Sequence, residues 1–435
     1  MYLAHIQSQY DRQGNGMYKW GRSHPRVGSL ASLQKSVIVY PLCPVRPTGE
    51  RDADSGPDRS REDRARRGRS SPALKGAASV SNPSTKFSIE LVAACKRALS
   101  GRGGVQAIAG AAFQRRQALK RLAAERRGET VPAILIASVT RRCNLACSGC
   151  YSKALRPEDG AAREELSDDR FMELFEEAVE LGVGAILVAG GEPLLRPSLL
   201  KRLAALKGVV APVFTNGSLI DEKASSLFGG RLLPVFSVEG DEAFTTERRG
   251  VGVHEAALAR ARAMRDAGRL FGLSVTVTSR NADYVLSKAF LGEVETLGAS
   301  VLFLVEYVPV VPGSEGLVLE PAQRLLLNAP ELDELRPYAL VRLPGDEEAH
   351  GGCLAAGRGF IHLSPEGKLE ACPFAPFSDS DAGELGLRAA LASPLMRAIR
   401  ERHGELKETK GGCALRDKAG WIASLGVCAR EAGAA

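Results

Sequence analysis

The chain has 435 residues, of which 44% are hydrophobic, and a formal net charge of +7. This length suffices for one large domain or two, with an ample apolar core. No apolar stretch approaches the roughly 18 residues that a membrane-spanning helix needs, and the N-terminus lacks the apolar core of a signal peptide. Nine cysteines without an export signal indicate a reducing cytoplasm, where clustered thiols serve metal binding or catalysis rather than disulfides.

The positive charge is confined to one end of the chain. Residues 1–85 hold 14 Lys and Arg against 7 Asp and Glu, and the totals of 58 and 51 therefore leave 44 of each for residues 86–435. The first segment lacks periodicity and is rich in Arg, Pro, Ser and Gly, so we predict a disordered basic tail. The neutral remainder argues against specific binding of nucleic acid. No Met stands between Met17 and Met172, so translation could begin at a non-AUG codon such as that of Val80. Residues 1–79 are expected to be dispensable.

Residues 86–130 are predicted to form a helical cap. Ala, Leu, Arg and Gln dominate this segment, and Phe113, Leu119 and Leu122 suggest an apolar stripe beside a basic face. A basic amphipathic helix can lie on a membrane. Packing on the following domain, with the basic face in solvent, is the favoured interpretation.

Residues 131–320 alternate between apolar, strand-like runs and helical patterns. The runs cover residues 133–139, 185–189, 210–214, 232–237, 272–278 and 300–306. The helical patterns cover residues 166–181, 197–206, 221–228, 252–268 and 283–297. This alternation predicts an α/β fold with a parallel sheet and right-handed crossovers.

Three cysteines, Cys143, Cys147 and Cys150, form a C-x3-C-x2-C array after the first predicted strand, and Tyr151 follows directly. Three thiolates this close on one loop can hold three irons of a [4Fe–4S] cluster, which leaves the fourth iron open for a small ligand. A zinc site would need a fourth ligand, and the sequence has no Cys or His close by. The second predicted strand ends in Gly190-Gly191-Glu192-Pro193.

The cysteine array, its place after a strand and the Gly-Gly-Glu-Pro loop together resemble the radical S-adenosylmethionine (radical SAM) superfamily. The resemblance implies a partial (β/α)6 barrel, whose active site lies at the C-terminal ends of the strands. It implies that the three cysteines bind the catalytic cluster, with Tyr151 beside it, and that the methionine part of SAM chelates the open iron. The loop from Gly190 to Pro193 would contact the SAM amino group. Such enzymes cleave SAM to methionine and a 5′-deoxyadenosyl radical, which abstracts hydrogen from a substrate.

Two further loops carry candidates for the SAM site. Asn216 lies in a Thr-Asn-Gly stretch that faces the SAM pocket in radical SAM proteins, although Asn-Gly alone is also a turn signal. Ser237 begins Ser-Val-Glu-Gly, which resembles the S-L-D-G…H-D…R-G stretch of peptide-modifying radical SAM enzymes. This chain departs from that stretch, because Glu239 replaces Asp and Thr245-Thr246 replaces His-Asp. Ser237 therefore remains a SAM contact by resemblance, and no substrate role is carried over to the loop.

The fifth and sixth strands carry polar residues within apolar runs. Ser274 and Thr276 share one face with Thr278, where they could meet the SAM ribose or simply fill a strand. Glu306-Tyr307 ends the sixth run. A carboxylate that points into a barrel is costly unless it is paired. The carboxylate could hold substrate or the adenosine side of SAM, or Glu306 could face solvent.

Residues 321–435 carry a second group of cysteines. Cys353 and Cys372 flank a predicted hairpin, residues 360–363 and 368–371, in a C-x13-G-x4-C pattern. This pattern resembles the start of a SPASM/twitch domain, which binds auxiliary Fe–S clusters. The resemblance implies one auxiliary [4Fe–4S] cluster, held by Cys353, Cys372 and Cys413 with Cys428 as the candidate fourth ligand, because the C-x2-C-x5-C array of a full SPASM domain is missing. A structural zinc site on the same thiols is the alternative.

The sequence therefore predicts a cytoplasmic radical SAM enzyme that receives electrons from a low-potential donor of the flavodoxin or ferredoxin type. A peptide substrate is expected by analogy with SPASM-like members. Two other classes stay open, an Fe–S electron-transfer or redox-sensing protein and a zinc-stabilised nucleic-acid-binding module. A molybdenum-cofactor-type GTP cyclase also combines two clusters, but its C-x2-C-x13-C spacing does not match this chain.

Overall fold

The computed structural model describes residues 104–155, 164–333, 336–343, 351–406, 413–425 and 430–431. The predicted basic tail, residues 1–85, and Cys428 lie outside these ranges. Among the described residues, no helix has both the length and the apolar character needed to cross a membrane.

A nine-stranded sheet organises the described chain, in the order β7-β6-β5-β4-β3-β2-β1-β8-β9. Neighbours from β1 to β7 pair in parallel, as do β1 and β8, whereas β9 runs antiparallel to β8. The strands are β1 Ile134–Ser138, β2 Ala185–Ala189, β3 Ala211–Thr215, β4 Leu232–Val238, β5 Gly272–Val277, β6 Val301–Glu306, β7 Ala339–Leu343, β8 Phe360–Leu363 and β9 Leu369–Glu370. The sheet curls into a partial barrel, as predicted, and β1 to β6 lie within one residue of the predicted runs.

Helices alternate with the strands. Around the barrel they are α1 Gly104–Glu125, α2 Tyr151–Ala154, α3 Asp168–Leu181, α4 Pro197–Ala205, α5 Glu222–Ser225, α6 Glu242–Arg249, α7 Val253–Asp266, α8 Ala282–Val285 and α9 Lys288–Leu297. The later helices are α10 Pro321–Leu327, α11 Ala382–Leu385, α12 Leu387–Leu391, α13 Pro394–Glu401, α14 Ala414–Asp417 and α15 Ala419–Ser424. A small antiparallel pair, β10 Phe377–Ser378 with β11 Arg430–Glu431, completes the described strands.

Local signals explain where the helices begin and end. Helix α3 begins after Ser167, whose hydroxyl accepts a hydrogen bond from the Arg170 amide at 3.1 Å, and it ends at Gly182 in the left-handed conformation. Its buried residues recur at helical spacing, from Phe171 to Leu181, and face the sheet core.

Three strands from the region after residue 320, β7, β8 and β9, extend the sheet. The sequence predicted six barrel strands, whereas β7 adds a seventh beside β6, and β8 pairs with the edge of β1 opposite to β2. The polar Arg342 interrupts the short run of β7, so no strand was predicted there. Helix α6 was also missed, because its eight residues are mostly polar or charged.

Helix α1 closes the N-terminal end of the strands with buried polar side chains. The amide nitrogen of Gln117 donates to the carbonyls of Val179, Val183 and Gly208 at 3.3, 3.0 and 2.8 Å. Arg121 donates to the carbonyl of Gly182, and burial lowers the pKa of its guanidinium to about 10. These carbonyls lie at the end of α3 and just before β2 and β3, where helix and strand ends leave acceptors without regular partners.

Candidate active site

A cavity lies at the C-terminal ends of the parallel strands, and both groups of cysteines line it. The six cysteines are Cys143, Cys147, Cys150, Cys353, Cys372 and Cys413. The predicted cofactor residues that line the same cavity are Tyr151, Gly190, Gly191, Glu192, Asn216, Ser237, Ser274 and Thr276. Pro193 does not line it, because it is buried at the start of a 3-10 turn, Pro193–Leu195. Residues from distant parts of the sequence thus meet at one site.

The first cysteine group lies on the loop that connects β1 to α2. Its three thiols are half-buried. The Cys143 sulfur accepts a hydrogen bond from the Leu145 amide at 3.4 Å. Burial raises the pKa of Cys143, which Glu192 and the neighbouring cysteines also raise. The thiolate is the form that binds metal, so iron binding here would displace a proton.

The glycine-rich loop after β2 packs directly on this cysteine loop. The Gly191 amide donates to the carbonyl of Thr140 at 2.7 Å, and the Glu192 amide donates to the carbonyl of Arg142 at 2.8 Å. A Cβ atom at Gly191 would overlap the carbonyl oxygen of Arg142. Gly190 has a φ of 122°, which favours glycine, and it also lies against Thr140. The two glycines therefore permit the close approach of the two loops.

The Glu192 side chain links the end of β2 to the end of β3 through hydrogen bonds. One carboxylate oxygen accepts from the Leu194 amide at 3.1 Å and the Thr215 hydroxyl at 2.8 Å, and the other accepts from the Asn216 amide at 3.0 Å. Burial nevertheless raises the pKa of this carboxyl group. Both oxygens are thus used within the protein. The Asn216 side chain in turn donates to that of Asn144, on the cysteine loop, at 2.9 Å.

Polar residues of β4 and β5 form another wall of the cavity. Ser237 and Ser274 are direct neighbours in the parallel register. The Thr276 hydroxyl accepts from Arg248 at 2.8 Å, and Arg248 and Arg249 both donate to the same oxygen of Glu239, at 2.6 and 2.7 Å. The Glu239 carboxylate therefore fixes the two arginines that end α6.

Arg248 was not predicted as a site residue. The structure places it, together with its neighbour Arg249, at the end of helix α6.

Glu306 lines the cavity and does not face open solvent. Its carboxylate accepts from Arg324 at 2.9 Å, and the residue is buried. This ion pair offsets the free-energy cost of burying a carboxylate in the barrel. Its neighbour Tyr307 also lines the cavity.

The second cysteine group is buried. Cys353, Cys372 and Cys413 come from the loop before β8, the segment after β9 and the residue before α14. A hydrogen bond with Cys413, then burial, raises the pKa of Cys372 well above its usual value. No disulfide joins any of the six cysteines within the described ranges. Cys428, the expected fourth ligand, lies outside them.

Tyr151 stands near both cysteine groups. Its ring packs edge-on against Phe374, with centroids 5.0 Å apart. Burial raises the pKa of the Tyr151 phenol, and the charges of Cys150 and Cys372 raise it further.

A buried hydrogen-bonded chain joins β1 to the β8–β9 hairpin. The Ser138 hydroxyl lies 2.8 Å from His362 Nε2, and His362 Nδ1 lies 2.6 Å from Glu370. His362 and Glu370 face each other across the antiparallel pair. The sequence prediction missed this chain, although a His and a Glu on facing strands of the predicted hairpin were an available signal.

An ion pair makes a second connection between the same parts. Arg141, two residues before Cys143, forms a forked pair with Glu366 in the hairpin turn. The Glu366 side chain is 3% exposed and that of Arg141 19%. The hairpin turn therefore holds the base of the cysteine loop.

The donor chemistry of both groups fits iron–sulfur ligation. Each supplies three thiols from backbone segments that the fold holds against one cavity. Within the described ranges, no three Cys, His, Asp or Glu side chains converge as a single metal ion requires. A four-iron cluster does not need ligands that converge on one point, because each thiolate binds its own iron.

The comparisons with known proteins agree with this site. The model of the Radical SAM superfamily matches residues 137–285, which include the first cysteine group and the glycine-rich loop. The chain therefore carries a radical SAM domain, the domain of enzymes that use a [4Fe–4S] cluster and SAM.

Individual relatives match over different lengths. The AdoMet-dependent heme synthase of Methanosarcina barkeri is 26% identical over 319 residues, 65% of this chain and 88% of that protein. The PqqA peptide cyclase of Granulibacter bethesdensis is 28% identical over 265 residues, 55% of this chain and 67% of that protein. This chain is 35% and 36% identical to two other curated relatives, but it spans only 38% and 39% of their lengths.

A solved structure shares the fold. The crystal structure of Streptococcus suis SuiB superposes with a TM-score of 0.53 at 17% identity, over 70% of this chain and 77% of that one. The similarity extends beyond the residues that the family model matches.

Proposed function

We propose that this protein is a radical SAM enzyme whose catalytic cluster binds to Cys143, Cys147 and Cys150. The observation that carries the proposal is the packing of the Gly190–Gly191 backbone on the cysteine loop, at the strand ends that line one cavity. An electron-transfer protein needs no such cavity for a small molecule. The neutral charge of residues 86–435 argues against the nucleic-acid-binding alternative.

With the cluster and SAM bound, the chemistry supplied is one-electron cleavage of SAM to methionine and a 5′-deoxyadenosyl radical that takes hydrogen from substrate. The protein's own residues bind, orient and exclude water. Glu192 fixes the ends of β2 and β3, and Glu239 fixes Arg248 and Arg249 at the cavity wall. Ser237 and Ser274 offer hydroxyls to polar atoms of SAM. Apolar side chains on the remaining walls keep water from a reactive radical.

Anaerobic turnover tests this proposal. Reconstituted protein reduced with dithionite should release 5′-deoxyadenosine from SAM. A Cys147→Ala variant should lose this activity, because one iron loses its thiolate. Equal release by the variant would refute the assignment.

We further propose an auxiliary [4Fe–4S] cluster on Cys353, Cys372 and Cys413, with Cys428 as the fourth ligand. The burial of these three thiols and the contact between Cys372 and Cys413 support it. Zinc is the competing metal for four thiolates. The position of the group on the same cavity favours a role in holding substrate or accepting its second electron.

Metal analysis tests the auxiliary cluster. Reconstituted protein should hold roughly eight irons per chain, as expected for two four-iron clusters. A Cys353→Ala/Cys372→Ala double variant should hold about half as much and retain some SAM cleavage, because the first cluster is separate. Full-length protein with about four irons and one zinc would contradict this part of the proposal. If Cys428→Ala leaves the iron content unchanged, Cys428 is not a ligand.

For the substrate we propose a peptide. The match to a peptide cyclase over 265 residues supports this class. The enzyme would act in the cytoplasm with a flavodoxin- or ferredoxin-type donor. A short peptide encoded beside the gene should lose hydrogen when incubated with enzyme, SAM and reductant, as mass spectrometry would reveal. An unchanged peptide mass alongside continued SAM cleavage would exclude that peptide as the substrate.

A tetrapyrrole is the second candidate substrate. The match to a heme synthase that spans 88% of that relative favours it. Incubation with iron-coproporphyrin under the same conditions separates the two classes, because only the true substrate should increase the consumption of SAM.

A further inference from the structure

Tyr307 has a buried hydroxyl group that finds no partner in the described protein. The residue follows β6 and is 2% exposed. Its amide donates to the carbonyl of Val277 at 2.9 Å, which fixes the backbone at the end of β5. The hydroxyl oxygen is inaccessible to solvent and makes no hydrogen bond within the described residues. A buried hydroxyl without a hydrogen-bond partner destabilises the folded protein. Such a hydroxyl therefore indicates that an acceptor binds beside it in the complete enzyme.

The position of this hydroxyl identifies the acceptor. Gly149 lies between Cys147 and Cys150 and has a φ of 66°. A Cβ atom at Gly149 would be 2.8 Å from the Tyr307 hydroxyl oxygen and 3.2 and 3.3 Å from two ring carbons. The tip of the phenol therefore lies against the backbone between two cysteines of the first group. Glycine at 149 leaves the space that the phenol fills.

We infer that the Tyr307 hydroxyl donates a hydrogen bond to a sulfur atom of the cluster held by Cys147 and Cys150. The inference rests on the proposed function, because it requires that cluster. Tyr307 would act as a positioning residue that tunes the cluster. Hydrogen bonds to cluster sulfurs are among the features that set the reduction potential. A donor stabilises the more negative, reduced cluster, so it shifts the midpoint potential upwards and eases reduction before SAM cleavage.

The test compares two buried tyrosines, one whose hydroxyl has no partner among the described residues and one whose hydroxyl has a partner. Tyr307→Phe removes the hydroxyl and keeps the ring that packs on Gly149. Tyr338→Phe is the matched control, because Tyr338 is equally buried but its hydroxyl already donates to the carbonyl of Leu291 at 3.1 Å. The midpoint potential is measured in holoenzyme without SAM, by redox titration followed with electron paramagnetic resonance. The relevant signal is the component that changes when SAM is added afterwards.

The expected result is a shift of that component to a more negative potential in Tyr307→Phe, with no shift in Tyr338→Phe. An unchanged potential in Tyr307→Phe would overturn the inference, as would a loss of SAM affinity alone, because the hydroxyl would then face SAM. If wild-type protein forms no SAM-responsive cluster, the proposed function itself fails, and the inference fails with it. The two failures are therefore distinguishable.

Unfolding of the cluster-free protein provides a second readout. Tyr307→Phe should be at least as stable as wild type, because the substitution removes a buried hydroxyl that has no partner among the described residues. Tyr338→Phe should lose stability, because it breaks an existing hydrogen bond. Equal destabilisation by both substitutions would show that the Tyr307 hydroxyl already has a partner without the cluster, and it would contradict the inference.

Discussion

Gly191→Ala should separate the glycine-rich loop from the cysteine loop. The new methyl group would overlap the carbonyl oxygen of Arg142, which is backbone and cannot rotate away. The amides of residues 191 and 192 now donate at 2.7 and 2.8 Å to the cysteine loop, and both bonds must lengthen. Losing two such bonds, with donors left inside the protein, costs about 2–4 kcal/mol.

Urea denaturation of the cluster-free protein measures this loss, and iron content after reconstitution reports the loop geometry. Gly292→Ala is the matched control, because Gly292 lies inside α9 and a Cβ atom there would meet nothing within 4 Å. It should stabilise the protein by about 0.5–1 kcal/mol, since alanine favours helix. A Gly191→Ala variant within about 0.5 kcal/mol of wild type, with full iron content, would refute the reasoning.

Three further predictions concern the supports of the site. Glu366→Ala should destabilise the protein by about 2–4 kcal/mol in urea denaturation, because it leaves Arg141 without its buried partner, whereas Glu173→Ala, in an exposed pair, should cost under about 1 kcal/mol. Gln117→Ala should cost about 1–3 kcal/mol in thermal unfolding, and exposed Arg116→Ala on the same helix should change stability by less than about 0.5 kcal/mol. A chain that begins at Val80 should be as soluble as full-length protein and cleave SAM as fast; loss of folding would show that the preceding residues contribute structure.

Periodicity and motif spacing predicted the barrel well. The apolar runs that became β1 to β6 are short, buried on both faces and bounded by turn signals, which leaves little ambiguity. The motif residues after these strands came together because parallel strands end at one edge. The sequence thus predicted much of the polar lining of the cavity, including Cys143 and Ser237.

The missed features depend on contacts between distant segments. The pairing of β1 with β8 and the chain from Ser138 to Glu370 join residues more than 200 positions apart, which no local pattern encodes. The sequence also could not predict that the Tyr307 hydroxyl has no partner among the described residues, because its position depends on the space left by Gly149. Glu192 was predicted to belong to the SAM site, but only the structure shows that its carboxylate is used by Thr215 and Asn216.

The position of β1 between β2 and β8 has a consequence for the synthesis of the protein. Ser138 and His362, which meet across these strands, are 224 residues apart. At about 5–20 residues per second, the ribosome needs roughly 11 to 45 seconds to make the intervening chain. During this time one edge of β1 has no partner strand, although the cysteine loop that follows it already exists. Its backbone amides and carbonyls are then open to pairing with other chains. Protection of this edge by a chaperone would therefore matter most before residue 360 emerges.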